Sequence, residues 1–190
     1  MSRKVILAST SPRRRVLLEK TGLMFEAISS DYEEDMTLTL PPKELAIHLS
    51  FGKAKAVVEK YPDAIIIAAD TFVVFQDSVL GKPHTPHNAR IMLRMLSGNA
   101  HSVITGFTIL EGPEGRRYSD TTQTNVYFKK LTDTEIDAYV ASGEPLDKAG
   151  AYAIQGLGGE LIEKIEGDYL SMVGLPVPAV MEVLKKFGVF

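Results

Sequence analysis

Cysteine does not occur in the 190 residues, and its absence removes disulfides, a thiol nucleophile and zinc-thiolate sites together. Nothing then argues for an oxidising compartment. Long hydrophobic runs are missing as well. No stretch approaches the roughly 20 apolar residues of a membrane span, and no charged leader precedes an apolar segment. A cytoplasmic protein that makes no membrane contact is expected. A large excess of either charge is lacking too: the formal net charge is -3 and the sequence pI is near 5.8, which leaves no basic field to coat a nucleic acid polymer. Among the familiar catalytic signatures, G-x-x-x-x-G-K-[ST], H-E-x-x-H and G-x-S-x-G are all absent. His48, His84, His87 and His101 lack metal-ligand spacing.

What the chain does have is a hydrophobic content of 45%, enough to bury a core within a single domain spanning residues 1–190. No linker, internal repeat or low-complexity tract divides it. Val5 to Ser9 reads as a short buried strand, Arg13 to Thr21 as a helix, and Phe25 to Ser29 as a second strand. Pro42 can open a helix that runs to about Tyr61. Ala64 to Ala68 is an apolar run of the kind found where both faces of a sheet are covered, and it delivers Asp70 at its end. Phe72 to Leu80 reads as a hairpin around Gln76-Asp77-Ser78, and Gly81-Lys82-Pro83 as a turn. A helix over Asn88 to Leu96 follows, then a long antiparallel pair, Ser102 to Leu110 and Tyr118 to Phe128. Next come a helix from Thr132 to Ser142 with Thr132 and Glu135 as a capping box, a glycine-rich segment, a strand over Leu161 to Ile165 and a closing helix over Val177 to Phe187. Early alternation of strands and helices followed by hairpins predicts an α/β fold with a mixed, twisted sheet flanked by helices.

The most informative segment is Ser9-Thr10-Ser11-Pro12-Arg13-Arg14, where a strand becomes a helix. Pro12 suits the first helical position, and Ser11 can accept a hydrogen bond from the opening turn. Exposed amides and the positive end of the dipole favour an anion there, and arginine forks bind phosphate oxygens in pairs. Arg13 and Arg14 are expected to lean toward the strand end, with Arg15 paired to Glu19 in solvent. Three cations at a helix N-terminus oppose the dipole unless an anion is present. The alternative is a solvated basic turn.

Asp70 is a carboxylate at the expected ligand-binding edge of the sheet. An aspartate is ordinarily a weak base at neutral pH, so holding a metal that acidifies water is as open a role as accepting a proton. The acidic loop Asp31, Glu33, Glu34 and Asp35 reads by itself as a run of solvated charges. Gln155 carries a side-chain amide that offers both a donor and an acceptor; the alternative is a satisfied loop amide.

Together these segments resemble the Maf family of nucleoside triphosphate pyrophosphatases, whose fold is similar to that of the inosine triphosphate pyrophosphatases (Ham1). Ser9 to Arg14 matches the family's S-x-S-P-R-R opening, Ala68-Ala69-Asp70-Thr71 its A-D-T segment and Leu80 to Pro83 its G-K-P turn. Ser97-Gly98, His101 to Gly106, Glu144 to Tyr152 and Gly174-Leu175-Pro176 follow in family order. Asn99 stands where many members carry Arg, and Phe107 where a smaller residue is usual. The resemblance implies hydrolysis of a nucleoside triphosphate to the monophosphate and pyrophosphate, which removes non-standard or excess nucleotides. It implies Asp70 as catalytic proton acceptor, Glu33 and Asp70 as ligands of a divalent cation (magnesium first, manganese second), and a substrate site that includes Ser9, Ser11, Arg13, Arg14, Lys53 and Lys82. For Lys53 and Lys82 a surface role is the alternative. Arg13, Thr71 and Gln155 match positions that separate the dTTP and UTP subfamily from the one acting on methylated guanine nucleotides, and Ala149 to Gly156 has the pyrimidine form. A homodimer is implied too. The competing class is a non-catalytic nucleotide-binding regulator linked to septum formation.

Overall fold

The computed structural model describes residues 3–33, 35, 38–113 and 115–190. Of the acidic loop, Glu34 lies outside these. The class is α/β, built on one mixed seven-stranded sheet. Its strands are β1 (Val5–Ala8), β2 (Glu26–Ile28), β3 (Ile65–Phe75), β4 (Ser78–Leu80), β5 (Ala100–Glu111), β6 (Arg117–Phe128) and β7 (Ile162–Glu166), hydrogen-bonded in the order β2-β1-β3-β5-β6-β7 with β4 on β3. β1 runs parallel to β2 and β3, whereas β4 and β7 pair antiparallel.

The chain clusters into two compact units. The first comprises Met1–Thr71, Thr105–Thr122 and Leu170–Phe190, and the second Phe72–Ile104 and Gln123–Tyr169. In the first, every residue of β1 and the whole run from Ala64 to Ala69 is buried, the pattern of strands covered on both faces. Ile6, Ala8, Ile66 and Ala68 share one face and pack against Ala54, Val57 and Val58 of helix α2 (Pro42–Val58). Helix α1 (Pro12–Glu19) leaves directly from β1, with Pro12 in its first turn and Ser11 as N-cap.

The second unit carries helices α3 (Pro86–Leu96) and α4 (Asp133–Ala141), the latter with the expected capping box between Thr132 and Glu135. Its glycine-rich stretch forms three short 3-10 turns, Glu144–Asp147, Ala149–Ala151 and Leu157–Leu161, before β7. Two short helices complete the chain, α5 (Tyr169–Val173), for which the sequence gives no signal, and α6 (Val177–Lys186).

One expectation fails. Asp70 does not end a strand: β3 continues through it for five more residues. Thr71-Phe72-Val73-Val74-Phe75 is a run of β-branched and aromatic residues that favour extended backbone, and the chain turns only at Gln76 and Asp77, both at positive φ (48° and 63°) as a tight hairpin requires. What ends before Asp70 is the pairing with β1, whose register closes at Leu7 opposite Ile67.

Candidate active site

Local sequence builds the junction between β1 and α1. The Ser11 hydroxyl accepts from the Arg14 N–H at 3.5 Å, and the buried Ser9 hydroxyl accepts from the Ser11 N–H at 3.2 Å. No acid occurs in the first turn of α1, so the helix itself supplies no counter-charge to its dipole there. Arg15 pairs with Glu19 at 2.8 Å in solvent, as expected.

Arg13 and Arg14 part company. Arg14 precedes the buried Leu17 and Leu18 by three and four positions, so it shares their face. Its Nε donates to the Gly174 carbonyl at 2.8 Å, Nη1 to Ser9 Oγ at 3.4 Å and Nη2 to Thr71 Oγ1 at 3.4 Å; Nη2 also stands 3.9 Å from Asp70 Oδ1. Arg13 lies one step around the helix, beside the exposed Val16, and does not lean with Arg14. It is exposed and makes no hydrogen bond or ion pair among the described residues.

Lys53 is no surface lysine. It sits on α2 between Leu49 and Val57, four residues away on either side, and is buried with them. Its Nζ donates to Asp70 Oδ1 at 2.7 Å, with both side chains about 10% exposed. Asp70 Oδ2 is also buried, and among the described residues it has no hydrogen-bond partner. One carboxylate oxygen is therefore committed to cations while the other is available.

Thr71 connects this centre to residues that sequence reasoning missed. Thr105 donates its proton to the Ser171 carbonyl at 2.7 Å, so in the 2.9 Å contact between the two threonine hydroxyls Thr71 must be the donor. Thr71 thereby accepts from Arg14, and the chain of bonds runs one way to Ser171. Gly174 belongs to the same cluster. It adopts φ +131°, and a Cβ there would stand 3.3 Å from Arg14 Cγ and Nε. Thr105 and Gly174 both lie in segments that the family pattern matches, but nothing local to them points to Arg14.

Glu33 is exposed; the preceding Tyr32 lays its ring where a Cβ on Gly52, the residue before Lys53, would overlap it. Lys82 and Gln155 belong to the second unit and are exposed. Lys82 lies between β4 and α3, in a segment tied to the 3-10 turns by the Gly150 N–H on the Gly81 carbonyl and the His84 N–H on the Leu146 carbonyl, each 3.1 Å. Gln155 lies exposed in a turn, with no hydrogen-bond partner among the described residues, which leaves its amide to solvent.

A cation would meet a single oriented carboxylate oxygen, Asp70 Oδ2, with Glu33 on the exposed loop. Among the described residues no group of three or more His, Cys, Asp or Glu could hold a metal. The donors present thus fit magnesium carried largely by water and phosphate oxygens, which needs only one or two carboxylates. They do not form an all-protein cage.

The family model for Maf-like proteins matches residues 4–187. The chain belongs to the Maf family. A dTTP/UTP pyrophosphatase of Geobacillus sp. (strain WCH70) is 47% identical over 186 residues, covering 98% of this chain and 99% of the relative. Another, from Thermoanaerobacter sp. (strain X514), is 49% identical over 184 residues and 96% of each chain. The Maf fold is also similar to solved Ham1 proteins: that of Coxiella burnetii superposes with a TM-score of 0.55 at 15% identity over 97% of this chain and 99% of that one, and that of Staphylococcus aureus with 0.52 at 12% over 84% and 80%. At those identities the likeness concerns the fold. No helix among the described residues is long and apolar enough to cross a membrane.

Proposed function

We propose that this Maf protein hydrolyses pyrimidine nucleoside triphosphates, dTTP and UTP, to the monophosphate and pyrophosphate. The observation that carries the reading is Asp70, held at Oδ1 by Lys53 and Arg14 and left with a buried Oδ2 that has no partner among the described residues. A carboxylate fixed in this way can take a proton from an attacking water without first reorganising. Water adds to the α-phosphorus, its proton passes to Asp70 Oδ2, and the bond to the oxygen bridging to the β-phosphate breaks as pyrophosphate leaves. Arg13, Arg14 and the open N-terminus of α1 bind phosphate oxygens. Ser9 and Ser11 shape that turn, and Lys53 orients Asp70. A divalent cation held by Asp70 and Glu33 would engage that same Oδ2; it would offset phosphate charge and lower the pKa of the attacking water, and Asp70 would then serve as ligand in place of proton acceptor.

Roles for Lys82 on the phosphate tail and for Gln155 and Thr71 in base selection rest on the family resemblance and on the names of the relatives. The cytoplasmic location and the homodimer belong to the same reading. No observation favours a non-catalytic regulator.

Incubation with dTTP and magnesium, followed by phosphorus NMR, tests the reaction. The products should be dTMP and pyrophosphate. Accumulation of dTDP with orthophosphate would place attack at the γ-phosphorus and overturn the assignment.

A further inference from the structure

The chemistry above makes no use of Glu144, although its carboxylate is among the most heavily bonded in the second unit. Oε1 accepts from the Tyr139 hydroxyl at 2.8 Å and from the Gly158 N–H at 2.9 Å, and Oε2 accepts from the Leu157 N–H at 3.0 Å. Having given its proton to Glu144, the Tyr139 hydroxyl accepts the Ala153 N–H at 3.2 Å. These two side chains therefore tie the backbone down on both sides of Gln155, whose own amide has no partner among the described residues. Burial pushes the Glu144 carboxyl pKa up, but the bonds from Gly158, Tyr139 and Leu157 outweigh it and hold the group below its ordinary value, as an anion.

The loop sequence fits this clamp closely. A Cβ on Gly158 would stand 2.6 Å from the Tyr139 hydroxyl and 2.8 Å from the Ala153 backbone, and one on Gly156 would overlap the Glu144 carboxylate. Gly156 has φ -134° and ψ -153°, a backbone any residue can adopt, so contact with Glu144 is what requires glycine there.

We propose that Glu144, acting with Tyr139, is a positioning residue for base selection: it fixes the backbone around Gln155 so that the side-chain amide is presented to the imide edge of a pyrimidine. This rests on the reading of the chain as a pyrimidine nucleoside triphosphate pyrophosphatase. A fixed donor and acceptor pair discriminates because a wrong base leaves it unpaired, and fixing it in advance spares the ordering cost on binding.

Three variants test it: Glu144→Ala, Glu144→Gln and Gly156→Ala. For each, kcat and KM are measured with dTTP, UTP and ATP, and amide hydrogen exchange is followed over residues 155–159. Glu144→Ala should raise KM for dTTP and UTP by about 10-fold with kcat within about twofold, and lower the preference over ATP to match. Glu144→Gln keeps one acceptor oxygen and should recover about half of that effect on a logarithmic scale. Gly156→Ala displaces the carboxylate without deleting it, so it should reproduce Glu144→Ala even if the latter folds poorly. In all three, exchange in the loop should quicken. A merely structural role would reduce kcat for every nucleotide alike and leave base preference unchanged. Folded variants with wild-type preference would overturn the assignment while leaving the pyrophosphatase reading intact. Failure of the wild type to release pyrophosphate from any of the three nucleotides would overturn both.

Discussion

Two buried side-chain polar atoms have no hydrogen-bond partner among the described residues, Asp70 Oδ2 and His101 Nδ1, and they keep different company. Asp70 stands beside Lys53 and Arg14, at a helix end that has no acid of its own. His101 lies in an aromatic box. Its ring meets Phe128 edge-on at 5.1 Å and Tyr152 at 5.4 Å, and its Nε2 shares a 2.8 Å hydrogen bond with the Tyr152 hydroxyl. Burial drives the His101 pKa down from 6.5 to about 4, so at neutral pH the ring is uncharged. An unpartnered atom on a carboxylate among cations is available to a ligand. One on a neutral ring enclosed by aromatic faces is a cost of packing that only protonation would expose.

The comparison breaks most sharply at Asp70. Asp70→Asn should lower turnover of dTTP by about 10²–10⁴-fold while equilibrium dialysis still detects nucleotide binding, because the amide keeps the shape but cannot accept the proton. Wild-type turnover would remove Asp70 from the chemistry. Lys53→Met probes the same centre from its partner: stranding a buried carboxylate should cost roughly 3–5 kcal/mol in urea unfolding, and adding Asp70→Asn to that variant should recover most of the loss. Additive losses in the double variant would show that the two side chains do not act as a pair.

His101 supplies the smaller effect. Between pH 6.5 and about 4 the unfolded chain binds a proton at this ring and the folded chain does not. Its contribution to stability is therefore present above pH 6.5 and is lost as pH falls through that window, by roughly 3 kcal/mol in all. His101→Phe should flatten the pH dependence of Tm over this range. At pH 7 the same substitution should cost only about 1–2 kcal/mol, from the stranded Tyr152 hydroxyl. An unchanged slope in the variant would mean that the ring titrates normally in the fold.

Features decided within one turn of chain were legible in the sequence. Ser11 and Pro12 at the start of α1, Arg15 with Glu19, and the capping box of Thr132 and Glu135 all depend on neighbours three or four residues away. The buried run from Ala64 was equally plain, but the end of its strand was not, because the change from apolar residues to an aspartate resembles a strand end although the residues after it still favour extended backbone. Lys53 offered a usable signal in its spacing from Leu49 and Val57, which sets it on the apolar stripe of α2 while Lys55 is exposed. Thr105, Ser171 and Gly174 gave none. The contacts that join them to one another, to Thr71 and to Arg14 span 34 to 160 residues of chain, and glycine, serine and threonine are too common to mark a site by type. The resemblance to the Maf family located the segments that carry Thr105 and Gly174 without revealing what either does.

Gly174 shows how far function can lie from functional groups. It offers a ligand no side chain, yet substitution there meets two obstacles at once, a φ that L-residues rarely adopt and the stem of the arginine behind it. The position has almost no mutational neighbourhood. A saturation scan that scores pyrophosphate release should therefore rank it with Arg14, and a library designed to alter the substrate range would do well to leave it fixed.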